Sequence, residues 1–321
     1  MAKEEEKKKL TAKEKREAFR KEIVKVAKTG VKIGAINSFD YKKKGARWFT
    51  GVLPMDILVG GGYRAAGLVE ITGSNDVGKT SILLETIQNI SNIYKNVYPT
   101  ILGIDGEHNF AEDVYERFRD LDLDNIATAE PDSMEQMFET ILSLKPDICF
   151  IDSIPAITSI LQQKQDLETA EMALGARQAS KGWGRTYTVR GDGTLIIAIN
   201  QESSTMDKYK PKTPKGGDTL KYAKTYAIKL SKSESKAEWI GTNKEDTQVT
   251  FGGDKNSTEV AETPFATKVK LTYDKMKFGG NTKDSRYIYL KARADTNHEA
   301  YSVFSNRPGA FVEITTLLSM A

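Results

Sequence analysis

Eight residues, Gly73-Ser74-Asn75-Asp76-Val77-Gly78-Lys79-Thr80, constrain this chain more than any other feature. They fit the pattern G-x-x-x-x-G-K-[ST]. An apolar run precedes them, Gly67-Leu68-Val69-Glu70-Ile71, and a helical pattern from Ser81 to Ile93 follows. Glycines at both ends of such a loop let the backbone wrap closely, so that successive N–H groups point inward around a phosphate. The helix that follows adds its positive end. In that setting Lys79 is a point charge for the β- and γ-phosphates, and the Thr80 hydroxyl is a Mg²⁺ ligand. The expected nucleotide cradle is therefore Gly73, Ser74, Asn75, Asp76, Val77, Gly78, Lys79, Thr80 and Ser81, with ATP and Mg²⁺ as the expected cofactors.

The pattern around the loop predicts the fold class. Short, nearly continuous apolar runs alternate with helical stretches. Thr100–Asp105, Ile148–Asp152 and Leu195–Asn200 read as strands, and Met134 to Ser143 reads as a helix. Strands apolar on both faces, separated by helices, describe an α/β core with a mostly parallel central sheet covered on both faces. Such sheets bind ligands beyond the carboxyl ends of their strands. After Tyr226 the reading changes to strands and loops. Val269–Tyr273 and Tyr287–Leu290 alternate and can pair antiparallel, while residues 231–263 read as a polar loop or exposed hairpin.

Composition narrows the function classes. With 47 Lys and Arg against 44 Asp and Glu, only local clustering of charge can point to a polyanionic partner. A single cysteine, Cys149, excludes an internal disulfide and a cysteine-rich zinc site, and two histidines leave little for a histidine metal cluster. No apolar run approaches the roughly 20 residues needed to span a bilayer. The amino terminus lacks the apolar stretch of a secretory signal. The expectation is a cytoplasmic protein with no membrane partner.

Two carboxylates complete the expected site. Asp152 ends the strand Ile148–Asp152, where a phosphate-loop enzyme needs a carboxylate to hold the metal. Glu107 follows the strand ending Ile104-Asp105, where a group must orient or deprotonate the attacking water. His108 beside it reads as structural. At the other end of the chain, residues 1–30 hold eleven Lys and Arg against six Glu. Thr11 and Glu14 read as a capping box, and Phe19, Ile23, Val26 and Ala27 recur at helical spacing. That predicts an amphipathic, basic helix.

Taken together these residues resemble the RecA-type recombinases, especially the shorter, divergent kind carried by bacteriophages. The likeness runs from about Thr50 to Tyr222. It includes Thr50-Gly51 with Asp56-Ile57-Leu58 and Gly60-Gly61-Gly62, the segment Ile104-Asp105-Gly106-Glu107-His108, and Ile199-Asn200-Gln201. The resemblance implies a RecA-like ATPase core over 34–291, an N-terminal helical polymerisation arm over 1–33 and a short C-terminal segment over 292–321. It makes Glu107 the catalytic carboxylate and Tyr115 the adenine-stacking tyrosine, one residue later than usual. Gln201 becomes the sensor of the γ-phosphate, acting with Lys79 and Glu107. Two DNA loops carry over by position, about Gln163–Gly175 and Glu202–Lys215. Arg177 and Arg185 are then phosphate contacts, Arg185 one residue late. Lys208, Tyr209, Lys210, Lys212 and Lys215, closed by Gly216 and Gly217, form a phosphate track with a base platform, as lysines around an aromatic should. Pro211 and Pro214 argue against regular structure there.

The departures are as specific. Of two lysines on one late strand that reach a neighbour's nucleotide in the family, Lys275 matches one. Tyr273 stands at the other position, with Lys277 as a further candidate cation. Residues 231–263 are longer than the family's connection, and no acidic tail follows. The implied activity is DNA-dependent ATP hydrolysis coupled to filament formation on single-stranded DNA and strand exchange with a homologous duplex. The filament places ATP between subunits, with Phe49 or Trp48 as apolar interface contacts. Single-strand-binding and loader proteins are further expected partners, in a bacterial host cell. The alternative is a RecA-fold motor or regulatory ATPase, or a filament-accessory paralogue, without strand exchange. The lysine-rich loop separates the two readings.

Overall fold

Residue 68 of the first core strand faces one way and residue 69 the other, and the whole core follows from that alternation. In the computed structural model, described for residues 46–108, 126–163, 172–203, 213–214, 217–232, 239–242, 248–250, 263–277, 285–291 and 311–312, the chain runs as follows. A short ladder pairs β1 (Arg47–Trp48) with β2 (Tyr63–Arg64) around α1 (Leu53–Leu58). Then come β3 (Leu68–Gly73), α2 (Lys79–Ile93), β4 (Ile101–Asp105), β5 (Ile126–Ala129), α3 (Met134–Leu144), β6 (Ile148–Asp152), α4 (Ile160–Gln163), α5 (Met172–Asp192) and β7 (Leu195–Ile199). The remainder is β8 (Glu202–Ser203), β9 (Thr213–Pro214), α6 (Gly217–Ala223), β10 (Tyr226–Lys232), β11 (Trp239–Thr242), β12 (Gln248–Thr250), β13 (Thr263–Met276), β14 (Ser285–Lys291) and β15 (Phe311–Val312). All of these lie in one unit, Lys44–Ala321. The expected arm at 1–33 and most of the segment 292–321 lie outside the described residues.

Six strands are parallel, in the order β10-β3-β7-β6-β4-β5. Along each strand, alternate side chains enter different cores. Val69, Ile71, Phe150, Ile197 and Ile199 pack with Ile82, Leu83 and Ile87 of α2. Leu68, Leu102, Ile104, Cys149, Ile151, Ile196 and Ala198 pack with Met137 and Phe138 of α3, Trp183 of α5 and Leu220 of α6. The sheet is thus covered by helices on both faces, as the unbroken apolar runs predict. α3 is started by Ser133, whose hydroxyl accepts the Gln136 N–H at 3.3 Å while Gln136 Oε1 accepts the Asp132 N–H at 2.9 Å.

Beyond β10 the sheet becomes antiparallel. β13 pairs with β10, β11 and β14, and β12 pairs with β11. Val269 faces Ile288 and Lys270 faces Tyr287, the pairing expected from their alternation. β11 and β12 pair antiparallel within 231–263, where a polar loop or an exposed hairpin was expected, and β15 adds to β14. One expectation is corrected. The 202–215 loop is not wholly irregular, because β8 and β9 pair as Glu202 with Pro214 and Ser203 with Thr213. Pro214 is tolerated because a two-stranded ladder has an outer edge where its missing N–H is not needed. Among the described residues no helix is long and apolar enough to cross a membrane.

Candidate functional site

Because the central strands are parallel, their carboxyl ends share one edge, and the ends of β3, β4, β6 and β7 bring the expected residues there. The loop after β3 is held open by backbone that side chains avoid. Gly78, the residue that starts α2, has φ 89°, and Asp76 has φ 57°. A Cβ on Gly73 would lie 2.7 Å from the Leu230 carbonyl oxygen and 2.8 Å from Val77 Cγ1, so only glycine fits. Val77 is fully buried in the α2-side core and anchors the loop from within. The Lys79 ammonium donates to the Gly73 and Ser74 carbonyls at 3.2 and 2.7 Å, curling over the loop it serves.

Thr80 and Asp152 meet. The threonine hydroxyl donates to Asp152 Oδ2 at 2.7 Å, across 72 residues of sequence. Asp152 is only 2% exposed. Burial pushes its carboxyl up to about 6, with Glu107 and Asp105 adding repulsion, while the Thr80 hydrogen bond and Lys79 partly offset the rise. Asp105, also buried, is its neighbour in register on β4. A hydroxyl and a destabilised carboxylate side by side suit a divalent cation that keeps several waters and takes its other ligands from phosphates. Among the described residues no group of three or more His, Cys, Asp and Glu is arranged to hold a metal alone. The donors present therefore fit Mg²⁺ carried with a triphosphate, and Thr80 and Asp152 are the residues that would hold it.

Glu107 stands at the end of β4 beside them. Its backbone N–H and that of Gly106 donate to the Asp152 carbonyl at 3.3 and 2.8 Å. Its side chain accepts a hydrogen bond from the hydroxyl of the buried Ser153. Ser153 escaped the sequence reading, although its place directly after the metal-side aspartate was a usable signal. His108 pairs with Glu130 at 3.2 Å on the surface, in keeping with a structural role. Tyr115 lies outside the described residues.

Gln201 follows β7, and its N–H donates to Asn200 Oδ1 at 2.9 Å. Of the lysine-rich loop, Lys208, Tyr209, Lys210, Lys212, Lys215 and Gly216 lie outside the described residues. Gly217 opens α6. The first loop, Gln163–Gly175, has its two ends in contact, for a Cβ on Gly175 would sit 2.2 Å from Gln162 Nε2. Arg177 and Arg185 are both exposed on α5, and Lys181, also exposed, falls between them at the same four-residue step. These three share one helix face.

Tyr273 and Lys275 lie on different faces of the sheet. The register of β10 with β13 slips between Ala227 and Ile228, so Tyr273 faces Ile228 and Lys275 faces Ala227. The extra residue turns Lys275 to the other face of the sheet. Tyr273 packs against the α2-side core. The Lys275 ammonium instead donates to the Lys221 carbonyl of α6. Burial, then Lys224, lowers the Lys275 ammonium; burial, then Lys275 and Arg190, lowers that of Lys277.

The RecA N-terminal domain family matches residues 18–274. The chain is 28% identical over 208 residues to "Protein RecA" of Francisella tularensis subsp. novicida (strain U112), a span covering 62% of this chain and 56% of that protein. "Protein RecA" of F. tularensis subsp. tularensis (strain SCHU S4 / Schu 4) and of subsp. holarctica (strain LVS) match equally. The match thus spans little more than half the length of these relatives.

Proposed function

The chain belongs to the RecA family through that family's N-terminal domain, and on this premise we propose that it is an ATP-dependent DNA recombinase. It polymerises on single-stranded DNA and exchanges that strand with a homologous duplex. The observation that carries the proposal is the meeting of Lys79, Thr80, Asp152 and Glu107 at one sheet edge, beside the two ends of the 202–215 loop.

In this reading the N–H groups from Ser74 to Ser81 hold the triphosphate, and Lys79 leaves the carbonyls of its own loop for the β- and γ-phosphates. Mg²⁺ supplies charge neutralisation at the phosphates, held by Thr80 and Asp152. Glu107, steadied by Ser153, orients the attacking water and takes its proton. Gln201 meets the terminal phosphate and sets the loop that follows. Arg177, Arg185 and the lysines at 208, 210, 212 and 215 carry DNA phosphates, and Tyr209 stacks a base. Tyr115 stacks the adenine. Lys275, with Lys277, serves a neighbouring subunit's nucleotide. Phe49 is half exposed and suits an apolar subunit contact, whereas Trp48 is engaged edge-on with Tyr94 of its own chain at 4.8 Å.

Negative-stain imaging with single-stranded DNA and a slowly hydrolysed ATP analogue tests the proposal. Regular helical filaments are the expected result; closed rings would move the protein to the motor class. Glu107→Gln should retain ATP and DNA binding while slowing turnover by about 10²- to 10⁴-fold. Unchanged turnover would take the water-orienting role from Glu107.

A further inference from the structure

We propose that Glu70 is a positioning residue that ties Gln201 to the helix closing the DNA loop, and so transmits the state of the terminal phosphate to that loop. The proposal rests on the DNA reading above. Glu70 lies on β3, three residues before Gly73, and is 1% exposed among Leu68, Val69 and Ile71. A carboxylate in such surroundings is costly unless both oxygens are satisfied. They are, by two groups far apart in sequence. Oε1 accepts from Asn200 Nδ2 at 2.8 Å, and Oε2 accepts from the Lys224 ammonium.

Each partner belongs to one end of the loop. Asn200 is fully buried. Its amide is oriented by two demands at once, since Oδ1 receives the Gln201 N–H at 2.9 Å while Nδ2 is given to Glu70. The backbone here is held by the Asn200 N–H on the Ile71 carbonyl at 2.9 Å, and the Glu70 carboxylate orients the amide that receives the Gln201 N–H. Lys224 follows α6 directly, and its N–H donates to Leu220 O at 3.1 Å. The end of α6 is gripped twice more, at Lys221 O by Lys275 and at Ala223 O by Arg190 Nη1 at 2.9 Å. One carboxylate thus bridges the residue that opens the 202–215 loop and the helix that closes it, on the strand that also carries the phosphate loop. Through Lys275, β13 is attached to the same helix end.

Stability alone does not require this charge pair, because well-packed neutral groups generally serve a buried site equally well. The full-length variants Glu70→Gln, Lys224→Met, the double variant and Lys224→Arg test the link. The double variant leaves no orphan charge and Lys224→Arg keeps the pair. Affinity for a slowly hydrolysed ATP analogue is measured first, then oligonucleotide affinity with that analogue and with ADP. Nucleotide affinity should be unchanged throughout. The analogue-to-ADP ratio of oligonucleotide affinity should fall by about tenfold in both single variants and in the double variant, within the range of typical coupling between sites. It should survive in Lys224→Arg. A wild-type ratio retained in the double variant, whatever its melting temperature, overturns the proposal alone. A ratio of one in the unaltered chain removes the DNA reading and the proposal with it.

Discussion

Asp152 sits where a folded chain least tolerates a charge, and its titration gives a sharp residue-scale prediction. Its carboxyl is raised from 3.8 to about 6, chiefly by burial. For a raised acid, the stabilising contribution is whole below the unfolded value and lost as pH climbs through the folded one. The stability difference between Asp152→Asn and the unaltered chain should therefore move in the variant's favour from about pH 4 to pH 6 and level above, by on the order of 3 kcal/mol in all. Thermal melts without nucleotide across this range check it; a pH-independent difference would remove the burial penalty. The same variant should lose Mg²⁺-dependent triphosphate binding, since a neutral amide replaces the carboxylate that would hold the metal. Lys79→Ala should melt like the unaltered chain yet bind a triphosphate at least about tenfold more weakly by calorimetry, since it removes a charge-assisted contact. Equal affinity would reassign the phosphate loop. Thr80 was legible in the sequence from the phosphate-loop pattern, and Asp152 and Glu107 from their places at the end of one apolar run and just past another. Glu70 was not, for a lone acid inside a strand says nothing of which distant side chains satisfy it.

At the scale of elements, α3 and α5 meet at Gly182. A Cβ there would lie 2.0 Å from the Phe138 ring, which is buried and set edge-on to Trp183 at 5.1 Å. Gly182→Ala should therefore destabilise by about 1–3 kcal/mol through overpacking, although alanine is the better helix former. A denaturant titration measures this, and a stabilised variant would contradict the packing. The core strands were readable because a strand buried on both faces is apolar throughout. The bulge in β13 was not, since nothing in Tyr273-Asp274-Lys275 marks the extra residue. That one slip separates two side chains that simple alternation would put on a common face. The β8–β9 ladder was missed because prolines were weighed against regular structure without knowing which edge of a strand they would occupy.

For the whole molecule, the parallel sheet gathers at one edge the phosphate loop, the carboxylates of β4 and β6, and the mouth of the 202–215 loop. Fold class and site edge were both legible, because the order of apolar runs and helices allows few connections. Spacing could not provide the internal tie from the nucleotide to α6, which exists only once distant strands are paired. The central claim is that a bound triphosphate decides whether the chain holds a polynucleotide. The direct test is fluorescence anisotropy of a labelled single-stranded oligonucleotide titrated with the chain, with a slowly hydrolysed ATP analogue, with ADP and with neither. Tight, salt-sensitive binding with the analogue alone is the outcome expected here. Equal binding under all three conditions would contradict it.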